Sequence, residues 1–371
     1  MPAYKEKNGT WKAMFRVTTY DGKRKQVTKR GFKKKSEALK YEREELLRQS
    51  GSSDITLNSL YLDYIKDCEV RLKPTTVSGK KYLIETKILP ILGDHQINKI
   101  DGKTIRRWQN WLLSQNPRND PDKKLSQTYI KTINNQLSAM LNYAKAFYKL
   151  QENPMHVAGS IGKKKADEMS FWTLDEFNRF ISYMRPEEPA PVFIFNLMFY
   201  TGIRPGEALA LTVNDFNYTN STLSINKSYS RLNKQDIISE PKTEKSKRVI
   251  ALPAFLFDML DEYIEKLYGY DPETRLFPYT KHYLRYKMLD GIKASGVKKI
   301  RVHDLRHSHA SHLIEMNCSP LLIQERLGHE EIETTLQTYS HLYPNKQQDI
   351  ARKLNDVVKM LSSKETKALK D

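Results

Sequence analysis

Trp11, Ala13, Phe15 and Val17 alternate with Lys12, Met14 and Arg16, a period of two that predicts a half-buried strand near the start of the chain. Asp21-Gly22 carries the chemistry of a tight hairpin turn, and a second strand is expected from Lys25 to Arg30. Ser36 then offers an N-cap for a helix with Ala38, Leu39, Leu46 and Leu47 on one side. Gly51-Ser52-Ser53 reads as a linker, after which the period becomes helical. Leu57, Leu60, Tyr61, Tyr64 and Ile65 mark one amphipathic helix, and Pro74-Thr75-Thr76 opens another that stops near Pro90. A third contains Ile105, Trp108 and Leu112, and Asn116 to Lys124 is a polar loop. A long helix follows through Ile130, Ile133, Leu137, Met140, Leu141 and Ala144, ending before Asn153-Pro154.

Ser160 to Ala166 holds Gly162 and Lys163-Lys164-Lys165, a basic connector able to lie along phosphates. From Met169 onward helices dominate, interrupted by strand-like stretches at Thr222 to Asn226, Ile237 to Glu240 and Arg248 to Leu252. A chain of 371 residues is too long for one ordinary core. The expected fold class is multidomain, mainly α with small β-sheets. A sheet-plus-helix module spans residues 1–50, a helical bundle 55–158, and a mixed α+β domain with a C-terminal tail helix 168–371. In that tail Ile350, Leu354, Val357, Val358 and Leu361 stand at helical spacing, a face for its own domain or for a neighbouring protomer.

Charge narrows the partner. Lys and Arg number 62 against 44 Asp and Glu, a net +18, and residues 1–50 alone hold 15 basic against 6 acidic side chains, half of the excess. Such a balance favours a polyanion. Lys12, Arg16, Lys23, Arg24, Lys25 and Lys29 would crowd one small sheet, which makes them candidates for DNA contact rather than a merely solvated surface. A membrane is not expected as partner: there is no run of about twenty apolar residues and no signal peptide. Cys68 and Cys318 lack metal-ligand spacing, so the reading is a cytoplasmic protein without a disulfide framework or Cys-based zinc.

Several short motifs carry chemistry. In Tyr200-Thr201-Gly202-Ile203-Arg204-Pro205-Gly206-Glu207, Pro205 suits a first helical turn, so Arg204 sits at a helix N-terminus where backbone N–H groups and a guanidinium together favour a phosphate. Glu207 is placed to orient it. Pro241-Lys242-Thr243-Glu244-Lys245-Ser246-Lys247-Arg248 separates two short apolar strands and puts Lys242 on a hairpin or its loop. Taken alone, that segment is an ordinary solvated basic turn. In Val302-His303-Asp304-Leu305-Arg306-His307-Ser308-His309, His303 and Arg306 are three apart, which on a helix points both toward one site. His303 with His307 also has the i, i+4 spacing of a helical zinc site, but no Glu follows the first His and Arg306 would set a cation against the metal. The extra histidines read as packing or capping groups. Leu327-Gly328-His329 reads as a helix end capped by Gly, with a new helical segment from Ile332, and Tyr339 stands ten residues after His329. A phenol is a poor nucleophile unless activated, and fixed positive charge around a phosphate would supply that activation.

In order and spacing, Arg204 in Thr-Gly-Ile-Arg-Pro-Gly-Glu, Lys242 in its basic run, His303-x-x-Arg306, Leu-Gly-His329 and Tyr339 resemble the tyrosine recombinase signature. The match runs from about residue 169 to 345. The helical segment before it resembles the family's core-type DNA-binding domain, and the first fifty residues, as a three-stranded sheet with one helix, resemble the arm-binding domain of phage and conjugative-transposon integrases. The resemblance implies Tyr339 as nucleophile, forming a 3′-phosphotyrosyl link, with Arg204 and Arg306 clamping the phosphate. It makes Lys242 the acid for the leaving 5′ oxygen, His303 an aid to proton transfer and His329 a phosphate ligand. It implies no metal or nucleotide cofactor, a homotetramer on double-stranded core and arm DNA, and an excisionase and a DNA-bending host protein as accessory partners. A type IB topoisomerase would use the same chemistry on a single duplex, and a recombinase fold that no longer cuts would be a DNA-binding regulator.

Overall fold

The N-terminal alternation folds as an antiparallel sheet of β1 (Tyr4–Lys5), β2 (Trp11–Thr18) and β3 (Arg24–Phe32), in that order. Ala13 and Phe15 are buried with Ala38 of α1 (Lys35–Gln49), which covers one face. α1 begins before Ser36, because the Glu37 carboxylate accepts the N–H groups of Lys33 at 3.1 Å and Lys34 at 3.3 Å, making Lys34 the cap. The computed structural model describes residues 3–18, 24–117, 120–163, 170–185, 187–241 and 244–330. The Asp21-Gly22 turn lies outside them.

Register separates the basic side chains of this sheet. Arg16 pairs with Gln26 and Met14 with Thr28, whereas Val17 pairs with Lys25 and Ala13 with Lys29. Lys12 and Arg16 therefore project from the outer face with Gln26 and Thr28, while Lys25 and Lys29 belong to the face that α1 covers and stay exposed there. One sheet carries the charge, as expected, but on two faces.

After α1 the chain is tied down. Gly51 donates its N–H to the Arg48 carbonyl and Ser52 donates to that of Leu47, both at 3.1 Å, closing the helix where a free linker was expected. Leu47 packs with the helical bundle rather than with the sheet. The bundle comprises α2 (Leu57–Arg71), α3 (Pro74–Lys87), α4 (Leu89–Leu92), α5 (Gly102–Ser114), α6 (Gln127–Phe147) and α7 (Met155–Ala158). Side-chain oxygens of Thr56, Asp101 and Ser126 cap α2, α5 and α6, and Leu60, Trp108, Ile133 and Leu137 fill the core. As expected, α3 stops near Pro90. Pro90 sits in the first turn of α4, where its missing N–H costs nothing.

The chain divides into two compact units, Met1–Asp167 and Glu168–Asp371. The second is built on α9 (Pro189–Thr201), buried on nearly every side through Phe193, Phe195, Leu197, Met198 and Phe199, with α8 (Leu174–Ser182) before it and α10 (Pro205–Ala208) after it. β4 (Phe216–Asn217), β5 (Thr222–Ile225) and β8 (Arg248–Ala251) form one antiparallel sheet, and β6 (Ser228–Leu232) with β7 (Gln235–Ser239) forms a separate hairpin. α11 (Ala254–Glu265), α12 (Lys281–Ser295), α13 (Leu305–Glu315) and α14 (Pro320–Leu327) complete the described part.

This topology corrects one expectation. The strand before Lys242 and the strand after it do not pair: β7 pairs with β6, and β8 pairs with β5, Ile225 opposite Arg248. The Lys242 segment is thus a crossover between two sheets, not a hairpin. β6 escaped sequence reading because its turn, Asn233-Lys234, adopts φ of 50° and 66° without the Gly that usually signals it. Among the described residues no helix is long and apolar enough to cross a membrane.

Candidate active site

Arg204 is the N-cap residue of α10, with Pro205 opening the helix as the sequence predicts. Its side chain is 35% exposed, and its Nη1 donates to Oε1 of Glu207 at 2.8 Å. The second oxygen of Glu207 accepts the Arg204 backbone N–H at 2.9 Å and Nη2 of Arg248 at 3.0 Å. Glu207 is 3% exposed, so one buried carboxylate bridges two guanidiniums. Burial pushes the Glu207 carboxyl up, but the charge of Arg248, then its hydrogen bond and Arg204, outweigh it and hold the group below the usual carboxylate range. Gly206 leaves the room this turn needs, since a Cβ there would lie 2.7 Å from the Ser228 hydroxyl.

His303 and Arg306 do not share one helix. His303 stands in a 3-10 turn, Val302–Asp304, that feeds α13, whose second residue is Arg306. Asp304 fixes the turn by accepting from the Arg301 backbone at 2.8 Å and from the Arg301 guanidinium. Arg306 is 2% exposed. Its Nη1 donates to the Gly202 carbonyl at 2.8 Å and its Nη2 to the Leu327 carbonyl at 2.6 Å, so it joins the end of α9 to the end of α14. Both ends are Gly caps in the left-handed region, Gly202 at φ 68° and Gly328 at 66°. Gly328 then delivers His329, as the sequence predicts.

By this route Arg204 and Arg306 come within electrostatic reach of both His303 and His329. The imidazole of His329 is pushed down to about 3 by burial, then by the charges of Arg306, Arg204, His307 and Arg248. His303 is lowered by desolvation of its packed side, then by Arg306, although its outer surface faces solvent. His307 stands edge-on to His303 with ring centroids 5.6 Å apart, and burial with that neighbour pushes it down to about 4. Burial and the nearby arginines hold all three rings below the ordinary imidazole range, and the same fixed positive charge suits an anion. A cavity of about 410 Å³ beside His329 is lined by Lys245, Lys247 and Arg248 together with Gln324 and Glu325. Among the described residues no group of three His, Cys, Asp or Glu is arranged to hold a metal ion.

Sequence reading overlooked Arg248 and Arg326 and misplaced His307. His307 was grouped with the packing histidines, a role that suits His309 but not a ring set against His303. Arg248 was the last residue of a basic run, yet the period of two in β8 sets it on the inner face with Ile250 while Val249 is exposed, a signal present in the sequence. Arg326 and His309 hold the α9 end: Arg326 donates to the Tyr200 carbonyl at 3.2 Å and to His309 Nε2 at 3.1 Å. Lys23, Lys164, Lys165, Lys242 and Tyr339 lie outside the described residues, as does the segment from Ile332. Of Arg24 only the backbone is described, in β3, and Lys163 is exposed.

A relative, the ICEBs1 integrase of Bacillus subtilis (strain 168), is 30% identical over 328 residues, covering 85% of this chain and 86% of that protein. The chain belongs to the phage integrase family, the tyrosine recombinases. Residues 171–346 match the Phage integrase family itself, 56–113 the Phage integrase, N-terminal SAM-like domain, and 2–47 the Arm DNA-binding domain. The Integrase of Staphylococcus phage L54a is 26% identical, over 67% of this chain and 82% of that one. The recombinase also shares its fold with solved structures. The Tn1549 transposon integrase in complex with transposon right end DNA has TM-score 0.66 at 18% identity, covering 82% of this chain and 99% of that one. A lambda integrase dimer bound to a COC′ core site has TM-score 0.57 at 19% identity, covering 91% and 93%.

Proposed function

We propose that this recombinase integrates and excises a mobile genetic element by site-specific strand exchange, with Tyr339 as nucleophile. The observation that carries the reading is the convergence of Arg204, Arg306, His303 and His329 on one anion-ready site within residues 171–346. The Tyr339 oxygen attacks the scissile phosphorus, the bond to the 5′ oxygen breaks, and Lys242 protonates that oxygen as it leaves. Arg204 and Arg306 offset the charge that gathers on the non-bridging oxygens, His329 donates to one of them, and His303 assists proton transfer. A 5′ hydroxyl from the partner duplex then attacks the 3′-phosphotyrosyl ester and restores the tyrosine. Each phosphodiester broken is stored as an ester of similar energy, so religation needs no ATP, and the Arg, Lys and His charges take the place of a metal.

The partner is double-stranded DNA. Lys12 and Arg16, with Lys23 and Arg24, serve arm sites, Lys25 and Lys29 contribute less from the face that α1 covers, and the helical bundle with Lys163, Lys164 and Lys165 serves the core site. A homotetramer on two duplexes, acting on DNA in a bacterial cytoplasm with an excisionase and a DNA-bending protein to set direction, completes the reading. The test is to incubate the protein and a Tyr339→Phe variant, in chelator, with nicked duplexes drawn from the DNA flanking its own gene. An adduct that survives denaturation and vanishes in the variant supports the reading. Tight binding with no adduct would move it to a regulator that no longer cuts, and relaxation of one duplex without exchange between two would move it to a topoisomerase.

A further inference from the structure

We infer that Arg248 is a positioning residue of the reaction, a side chain that ties the turn bearing Arg204 and the helix end before His329 to the connection that carries Lys242. The inference rests on the reading of the site given above. Arg248 is buried, 6% exposed, and three donors of its guanidinium go to three different places. Nη2 reaches Glu207, which in turn holds both the backbone and the side chain of Arg204. Nη1 donates to the Ser246 carbonyl at 3.1 Å, in the connection that carries Lys242 from β7 to β8. Nε donates to the Arg326 carbonyl at 2.9 Å, in the last turn of α14, three residues before His329.

The surroundings are shaped for this side chain. A Cβ on Gly328 would stand 3.0 Å from Cδ of Arg248, so the glycine that turns the chain toward His329 also leaves room for the arginine. Lys245 adds a parallel tie, its Nζ donating to the Glu330 carbonyl at 2.8 Å on the far side of His329. A planar guanidinium with fixed donor directions can serve a carboxylate and two carbonyls at once, whereas the ammonium of a lysine is a point charge. The fit therefore requires arginine rather than positive charge alone. Since a displacement of about 1 Å at a reacting centre costs on the order of 100-fold in rate, a residue that acts through Glu207 and two carbonyls can control cleavage from here.

The experiment compares full-length parent, Arg248→Met and Arg248→Lys, each with and without Arg204→Ala, on a nicked substrate. It reads the single-turnover rate of adduct formation separately from DNA affinity. Arg248→Met is expected to slow adduct formation about 100-fold while affinity changes less than about threefold. Arg248→Lys is expected to recover about tenfold of that loss by holding Glu207 alone. Adding Arg204→Ala to Arg248→Met should cost far less than in the parent, because the two residues act through one carboxylate. If the Met variant fails to fold, the Lys variant and its pairing with Arg204→Ala carry the same comparison. Rates that fall only in step with lost affinity, or losses that add independently of Arg204, overturn the inference. A parent that forms no adduct overturns the reading of the site, whereas a parent that cleaves alongside an equally fast Arg248→Met overturns this inference alone.

Discussion

Nε of Arg326 donates to Nε2 of His309 across 3.1 Å, which fixes a wholly buried imidazole as a neutral acceptor. The other side of the His309 ring hydrogen-bonds the Phe199 main chain, and its Cδ2 fills the space that a Cβ on Gly202 would need. The end of α9, from which Arg204 departs, is thus held by Arg326, His309 and Arg306 together.

This arrangement makes stability depend on pH. Burial, then the charge of Arg326, push His309 down to about 3, against about 6.5 in an unfolded chain. Between those values the unfolded state binds a proton that the folded state does not, so stability is full above about pH 6.5 and falls as the pH drops. The melting temperature of the parent should decline more steeply from pH 7 to pH 5 than that of His309→Gln, which keeps a donor and an acceptor but does not titrate. Parallel declines in thermal melts would show that His309 is not part of the dependence.

Gly202 and Gly296 are a matched pair. Both cap helices at nearly the same left-handed φ, 68° and 69°, but a Cβ at Gly202 would meet His309 at 2.6 Å and Leu327 at 2.7 Å, while at Gly296 nothing lies within 4 Å. Gly296→Ala should cost about 1 kcal/mol, roughly 3 °C in Tm, for backbone strain alone. Gly202→Ala should cost about 3 kcal/mol and abolish adduct formation, because it displaces the carbonyl that Arg306 holds. Equal shifts for the two variants would sink the argument.

Glu207→Gln exchanges a bridging carboxylate for an amide that aims a donor at a guanidinium. Removing one partner from a buried charge network costs on the order of 3 kcal/mol, so Tm should fall by roughly 10 °C, with cleavage down about 100-fold or more. Calorimetry and adduct yield measure the two effects, and a variant that cleaves at the parent rate would remove Glu207 from the account.

The two faces of the N-terminal sheet should differ toward DNA. Replacing Lys12 and Arg16 with Ala should flatten the salt dependence of full-length binding by about 1.8 in log–log slope, about 0.9 for each lost phosphate contact. Replacing Lys25 and Lys29, which share the face occupied by α1, should change it by less than half as much. A larger effect from the second pair, read by titration at several salt concentrations, would reverse the assignment of the faces.

Local pattern made much of the architecture legible. Alternation at Trp11 to Val17, apolar spacing in the bundle, Pro205 at a helix start and Gly328 at a helix end depend on neighbours within a few residues, and those signals survive in any single stretch of chain. The boundary error at Ser36 arose where either of two nearby side chains could serve the first turn. β6 was hidden because Asn233-Lys234 turns without glycine.

The sequence by itself determined the family and most of the helical and strand segments, and it supplied the residues proposed to carry the chemistry, since order and spacing along the chain suffice for these. Only the tertiary structure decided which strands pair around the Lys242 segment, that Lys25 and Lys29 leave the face of Lys12 and Arg16, and that Arg248 rather than a neighbouring lysine anchors Glu207. The physical reason is the same in each case. Strand pairing and the partner of a buried charge are set by groups tens of residues apart in sequence, and burial leaves a carboxylate such as Glu207 stable only where the fold delivers donors to it.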